Sequence, residues 1–281
     1  MKFRRLLSHI VLLLGALLMA FPFLWMIASS LMTEIETKTI TASGGSLWAL
    51  LKALVPAKLM VGNYVEAWTK APFARYFLNT IFVSLAVTGC VLITSVLAGY
   101  TFGRLQFKGK TIIFGIFMAT MMVPFEVILI PNSLLIQRLG LQNTYPALVL
   151  PWAANVFSIF LLKQFFQSVP SDYFDAAQID GCSHWQFLWR VAVPMVKPAL
   201  ITVAIFAFLG SWNSLLWPLI VTDDPGKRVL QVGLSTFLEE EKSMTHLLMA
   251  ACVFTTAPIV ALYLILQRWF IEGVAGVGLK G

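Results

Sequence analysis

Charge is what this sequence has least of. Only 12% of its 281 residues are Asp, Glu, Lys or Arg, against roughly 25% in soluble domains. That scarcity excludes an ordinary water-soluble globule, and a mean hydropathy of +0.83 requires lipid around the chain. Histidine is scarce too. His9, His184 and His246 lie far apart with no Cys or carboxylate at ligand spacing, so no metal site is expected. Three cysteines, Cys90, Cys182 and Cys252, cannot build a disulfide framework and read as free thiols. Neither a His-Glu-x-x-His pattern nor a nucleophile elbow occurs, which leaves an enzyme reading without residues. Gly109-Lys110-Thr111 looks like the end of a phosphate loop. Arg104, however, stands where the first glycine belongs, and the triplet opens an apolar run instead of following a strand. No ATPase site and no bound cofactor are expected on this chain.

What is abundant is apolar sequence, at 59%. Six runs have spanning length, at about 8–31, 77–102, 111–131, 146–166, 199–221 and 245–270. A membrane-crossing helix needs about 20 apolar residues, and backbone groups in hydrocarbon must be bonded internally. The expected fold class is therefore an all-α integral membrane protein with six transmembrane helices, one membrane domain over 1–281. The first run could pass for a signal peptide, but it continues to about Leu31. A signal core has only about 7–15 residues, so a retained first helix is expected. Pro22, Pro124, Pro151, Pro218 and Pro258 lie in or near the ends of these runs and predict local breaks or kinks.

Orientation follows from the short loops. Residues 1–5 carry three basic side chains and the link 104–110 carries three more, so both are expected in the cytoplasm. Six spans put both termini on that side. The net charge of +7 belongs to these orientation signals, and no nucleic acid is expected as partner. Segments 32–76, 137–145 and 222–244 are expected outside, the last with Asp223-Asp224 and Glu239-Glu240-Glu241.

The polar interruption 168–198 falls on the cytoplasmic side. Ser171 is suited to cap a helix, and Asp172 and Asp175 suit its first turns. Tyr173, Ala176, Ala177 and Asp180 share a face at helical spacing. Gly181 stands where a left-handed residue ends a helix at low cost. Ser183 is suited to start a second helix, in which Trp185, Leu188, Trp189 and Ala192 form an apolar stripe before Pro194 and Pro198. From the residues alone, two readings stand side by side: a docking element for a soluble partner, and an amphipathic linker in the lipid headgroups.

Asp175-Ala176-Ala177, three residues, Gly181, nine residues, then Val191-Ala192-Val193-Pro194 resembles the coupling motif of ABC importer permeases. That motif has Glu where this chain has Asp175. Nearly the whole chain resembles the carbohydrate-uptake branch of the family. The resemblance implies a type I importer permease fold with a cytoplasmic coupling helix-turn-helix. It implies that Asp175, Ala176, Ala177, Asp180, Gly181 and Pro194 dock on an ATP-binding subunit, with the missing methylene of Asp175 altering one ion pair. The implied partners are a second homologous permease, two ATP-binding subunits that carry the ATP and Mg, and an extracytoplasmic solute-binding protein. The implied setting is the bacterial inner membrane. The expected substrate is a sugar or sugar-like osmolyte, with glycerol phosphate as alternative. A secondary transporter would need an ion-coupling site and usually an inverted repeat, neither of which is evident.

Two regions keep open readings. The tail 272–281 carries four glycines and reads from composition as a frayed end. Its resemblance to the glycine-rich ending of sugar-importer permeases implies that Gly278, Leu279, Lys280 and Gly281 contact the ATPase. Within the spans, Glu126 is an acid in an apolar run between Pro124 and Pro131, and near it lies Asn132. It either lines a wet pathway or pairs with a neighbouring helix near the outer interface. Trp212-Asn213 resembles a pattern frequent in sugar-importer permeases. Stacking and hydrogen bonding to sugar, or interface anchoring and inter-helix contact, fit these residues equally. Asn155 in the fourth run is a weaker pathway candidate.

Overall fold

The computed structural model describes residues 2–42, 54–240 and 244–278, and no strand occurs among them. In chain order the helices are α1 (Lys2–Ser30), α2 (Glu34–Ala42), α3 (Gly62–Lys70), α4 (Phe73–Arg104), α5 (Lys110–Thr120), α6 (Phe125–Arg138) and α7 (Tyr145–Val149). After a 3-10 turn at Leu150–Trp152 come α8 (Val156–Ser168), α9 (Ser171–Ile179) and α10 (His184–Phe187). A π-helical turn, Leu188–Ala192, leads into α11 (Val193–Met195), α12 (Lys197–Trp212), α13 (Leu216–Val221), α14 (Leu230–Glu240) and α15 (Thr245–Gly278).

Arg5–Ser30, Phe73–Arg104 and Thr245–Ile265 are each long and apolar enough to cross a bilayer alone. Three more spans come as bent pairs: Lys110–Thr120 with Phe125–Arg138 at 95°, Tyr145–Trp152 with Val156–Ser168 at 46°, and His184–Met195 with Lys197–Trp212 at 81°. Counting each pair once gives up to six by length and composition, although His184–Met195 belongs to the polar 168–198 element, so that Lys197–Trp212 carries the apolar part of the fifth. The expected runs 111–131 and 146–166 are therefore bent, and the run 199–221 is interrupted within itself. The first breaks before Pro124, the second just after Pro151, and the third stops at Trp212 and restarts at Leu216, two residues before Pro218. A proline lacks the N–H that would continue the ladder, so each break sits beside one. Pro22 and Pro258 behave otherwise and lie inside the unbroken α1 and α15. One missing donor frees one carbonyl, and the bonds on either side hold the helix together.

The described chain forms two compact units. The first is Met1–Ala74 with Val232–Ala261. Its α1 is exposed on all sides from Arg5 to Ala20, a surface suited to lipid or a partner helix, and only its end is packed. There Asn63 donates through Nδ2 to the carbonyls of Ser30 (2.9 Å) and Met32 (2.8 Å), and Tyr64 Oη shares a 2.7 Å bond with Ser30 Oγ. Thr33 and Glu36 cap α2 reciprocally: Glu36 Oε2 accepts the Thr33 N–H at 2.9 Å, and the Glu36 N–H donates to Thr33 Oγ1 at 3.3 Å. Glu36 Oε1 also accepts the Ala57 N–H at 2.9 Å. These two backbone donors, Thr33 first, hold the Glu36 carboxyl below the usual carboxylate range.

The second unit is Arg75–Gln231 with Leu262–Gly281. Its long element is α4, and α8 crosses it at Gly99 and Gly103. A Cβ on Gly99 would meet Leu162 Cβ at 2.9 Å and the Lys163 nitrogen at 3.2 Å; one on Gly103 would meet Phe166 Cβ at 3.1 Å. Small residues here let two backbones touch, which is how helices associate where apolar burial gives no preference over lipid. The break between α7 and α8 is also served from α4, because Thr94 Oγ1 donates to the Ala153 carbonyl at 2.9 Å.

Two outcomes are expected. Gly99→Ala should destabilise the protein by about 1–3 kcal/mol through overpacking, read as a lower thermal midpoint in detergent. Gly115→Ala, where a Cβ meets nothing within 4 Å, should not lower it. The Glu36 carboxylate has a lowered folded pKa, so its contribution is present above the unfolded value and is lost as pH falls through the folded one. Glu36→Gln should therefore speed amide exchange at Ala57 at pH 7, with the difference from wild type shrinking as acid protonates Glu36.

Candidate functional site

The polar interruption is an ordered helix-turn-helix. Helix α9 ends in a six-residue left-handed cap. Gly181 has φ +75°, its N–H donates to the Gln178 carbonyl at 3.0 Å, and the Cys182 N–H reaches back to Ala177 at 2.8 Å. This paired pattern satisfies two end carbonyls and needs a residue without Cβ strain at the turn. Two residues later Ser183 and Gln186 form a capping box that starts α10. Ser171 does not cap α9 as expected. Pro170 takes the cap position and Ser171 is the first helical residue, because the fixed φ of proline already suits the helix entrance.

Aromatic rings fasten this element to the ends of α4 and α8. The Phe174 ring stacks on His184 at 5.1 Å and meets the edge of Phe187 at 5.0 Å. Tyr100, near the end of α4, bonds His184 Nδ1 at 3.3 Å and lies edge-on to Phe166 at 5.7 Å. Beside these contacts, a cavity of about 490 Å³ separates α9 from the 104–106 link, with Arg104, Gln106, Gln178 and His184 in its wall. The element is held by these rings and by the buried Phe187, Leu188 and Ala192, while α9 is set off from the 104–106 link.

Its opposite face is open. Asp172, Tyr173, Asp175, Ala176, Ile179, Asp180 and Gly181 are exposed, Ala177 is half-buried, and Ile179 reaches 87% exposure. Pro194 is exposed on α11. The expected stripe on the second helix is divided. Leu188 and Ala192 are buried with Phe187 and Val196, while Trp185 and Trp189 are exposed and meet edge to face at 5.7 Å. A π-helical turn at Leu188–Ala192 follows Trp185 and departs from the α-helical spacing that puts Trp189 and Ala192 in the stripe.

A second feature lies within the spans. A cavity of about 320 Å³ opens among α4, α7, α8, α12 and α13. Thr80, Ser158, Ser211, Ser214 and Asn155 supply its polar groups and Trp152 and Trp217 its largest rings. Among the described residues, none that lines it is charged. Asn155 lines it, but its Oδ1 is occupied in capping α8, accepting the Ser158 N–H at 2.9 Å and Ser158 Oγ at 3.0 Å. The other pathway candidates lie elsewhere. Trp212 is 1% exposed and packed between Phe77 (5.7 Å) and Phe208 (5.5 Å). Asn213 is exposed and donates to the Leu209 carbonyl at 3.0 Å. Glu126 is exposed in the first turn of α6, where its charge favours the helix N-terminus. Asn132 is half-buried outside the cavity wall. Ser211, Ser214 and Trp217 belong to the stretch singled out in the sequence, yet the helix break at 213–215 decides which of its residues face the cavity.

The tail departs from the flexible end expected from its glycines. Helix α15 continues through Gly278, while Leu279, Lys280 and Gly281 lie outside the described residues. A helix already nucleated adds each further residue at small cost, so several glycines need not end it.

A family model described as "binding-protein-dependent transport system inner membrane component" matches residues 95–276. The arabinooligosaccharides transport system permease protein of Halalkalibacterium halodurans is 33% identical over 227 residues, covering 80% of this chain and 81% of that protein. The diacetylchitobiose uptake system permease protein of Streptomyces coelicolor is 33% identical over 265 residues, covering 93% and 84%. The sn-glycerol-3-phosphate transport system permease protein of Yersinia enterocolitica is 30% identical over 271 residues, covering 95% and 94%. Among solved structures, a chain of a bacterial ABC transporter that imports the acidic polysaccharide alginate superimposes with TM-score 0.80 at 23% identity, covering 96% of this chain and 97% of that one.

Because a side chain at φ +75° is strained, Gly181→Ala should destabilise the turn by about 1–2 kcal/mol and Gly181→Val by more. Faster exchange of the Gly181 and Cys182 amides, with α4 unaffected, is the expected measurement.

Proposed function

The chain belongs to the family of binding-protein-dependent transport system inner membrane components, and on that premise we propose that it works as a permease subunit of an ATP-driven importer of sugars or sugar-like osmolytes. The observation that carries this is the open face of Asp175, Ala176 and Ile179 on a helix closed by Gly181 and pinned to α4 through Phe174, His184 and Tyr100, with Tyr100 in turn against Phe166 of α8. A partner that moves this face moves the ends of two spans with it. Asp175 offers a carboxylate to a basic side chain, Ala176 permits close approach, and Ile179 and Tyr173 supply apolar area in a region that lipid does not cover.

The motor is separate. Two ATP-binding subunits hold the ATP and Mg, and this chain binds no cofactor. A second homologous permease completes the pathway, and an extracytoplasmic solute-binding protein delivers the solute. Both termini and the 168–198 element face the cytoplasm. Closure of the ATP-binding subunits tilts the element, and the bundle turns the cavity from one side of the membrane to the other. The last residues, 278–281, contact the ATP-binding subunits.

The relatives named above divide between neutral oligosaccharides and glycerol phosphate. The uncharged wall of the 320 Å³ cavity favours the neutral class. Hydroxyls and an amide suit sugar hydroxyls, and nothing in that wall offsets the cost of bringing in a phosphate dianion. Glycerol phosphate is retained as the second substrate class on the strength of the 30% identity over most of both chains.

Purification from the membrane should bring down a nucleotide-binding subunit, and the assembly in liposomes should take up labelled neutral oligosaccharides only with ATP inside and its binding protein outside. Gly181→Val should keep ATP hydrolysis while lowering uptake by at least about tenfold, the factor that corresponds to about 1.4 kcal/mol of lost coupling. Uptake driven by an ion gradient through the purified chain alone would instead identify a secondary transporter.

A further inference from the structure

Three segments far apart in sequence meet at one asparagine. Asn79, 2% exposed, lies in the second turn of α4. Its Nδ2 donates to the carbonyls of Gly226 at 3.0 Å and Arg228 at 2.8 Å, and its Oδ1 accepts from Tyr145 Oη at 2.8 Å. The next residue continues the seam, since Thr80 Oγ1 accepts the Leu230 N–H at 2.8 Å. One turn earlier Arg75 donates through Nε to Gly226 at 3.2 Å, and the Lys227 ammonium sits 4.1 Å above the Tyr145 ring. The 222–230 segment arrives already stiff. Asn143, at φ 59°, accepts the N–H groups of Asp223 (2.6 Å) and Asp224 (2.9 Å) through Oδ1, and its own N–H donates to the Val221 carbonyl at 3.0 Å.

This knot covers one end of the 320 Å³ cavity. Thr80 and Val229 are part of both, and Leu148, three residues beyond Tyr145, lines the cavity as well. Widening that end means parting the 222–230 segment from α4, which breaks the bonds to Asn79 and Thr80 first. The end concerned is set by the length of α4. Asn79 and Tyr100 lie on one unbroken helix, about 32 Å apart at 1.5 Å per residue. That is about the thickness of the hydrocarbon layer. The knot and the helix-turn-helix that Tyr100 anchors therefore lie at opposite faces of the membrane.

The bonds are of the right strength for a latch. Each is polar and, once the segment is drawn off, exchanges for a bond to water at modest net cost. Apolar packing at the same place would give a seal without a defined released state. We infer that Asn79 is the positioning residue of an outer gate, holding the cavity shut on the extracytoplasmic side until the 222–230 segment is drawn off. This rests on the chain being an ATP-driven permease subunit, as proposed above.

The test uses the whole assembly in proteoliposomes, with Asn79→Ala and with Tyr145→Phe, which removes the hydroxyl's bond to Asn79 and the 3.4 Å bond it accepts from Arg75 and keeps the ring. Loss of the Asn79 bonds should shift the closed-to-open ratio about tenfold. The expected readout is a rise in ATP hydrolysis, and in solute entry, measured without the solute-binding protein. Tyr145→Phe should give a smaller rise in the same direction. A purely structural role would lower hydrolysis and uptake together and could not produce a gain. Hydrolysis at or below the wild-type level without binding protein, in either variant that assembles, overturns the gate. Should wild type itself show no ATP-dependent uptake, the permease assignment fails and the gate falls with it, a result distinct from a silent variant in a working transporter.

Discussion

Every backbone N–H and carbonyl in the hydrocarbon layer must find a partner inside the protein. An unbroken helix meets that demand almost alone, as α4 does, and α1 and α15 leave only the one carbonyl that each internal proline frees. The other spans are broken, and each break frees carbonyls that something else must serve. Thr94 on α4 serves the Ala153 carbonyl, and the Trp217 indole N–H serves Ala147 at 2.9 Å. Asn155 restarts α8 by capping it. Trp217 and Asn155 line the cavity, so two of the groups that repair the ladder also build its wall.

The same constraint separates the protein into a rigid beam and movable ends. Helix α4 is continuous over 32 residues and bears Gly99 and Gly103 against α8. At one end it carries Tyr100 and the aromatic fastening of the helix-turn-helix. At the other it carries Asn79 and Thr80. The helix that bears the exposed face around Asp175 is joined to α4 and α8 by rings in contact. Transmission through packed side chains requires an element with two arrangements, and the polar bonds of the 222–230 segment supply a candidate.

Much of this was legible in the sequence. The run lengths gave up to six spans, and Gly181 and Ser183 located the turn and the second cap. The misses have physical causes. Periodicity assumes an α-helix, so the π-helical turn at Leu188–Ala192 was invisible and Trp185 and Trp189 were grouped with Leu188 and Ala192 in one apolar stripe. Proline marks a possible break without fixing it, and Pro22 and Pro258 sit in intact helices. Trp212 and Asn213 drew attention for their chemistry, whereas the cavity takes Ser211, Ser214 and Trp217 from the same stretch.

Composition and local order settled what solvent this chain needs, how many times it crosses it, and where a helix must turn on a glycine, because each depends on neighbours within a few residues. Tertiary structure alone decided which polar groups meet. Asn79, Tyr145 and Gly226 are each unremarkable in sequence, and they converge only because α4 and the breaks beside it bring three distant segments to one point. Hydrogen bonds act over about 3 Å, a distance that separation along the chain does not reveal.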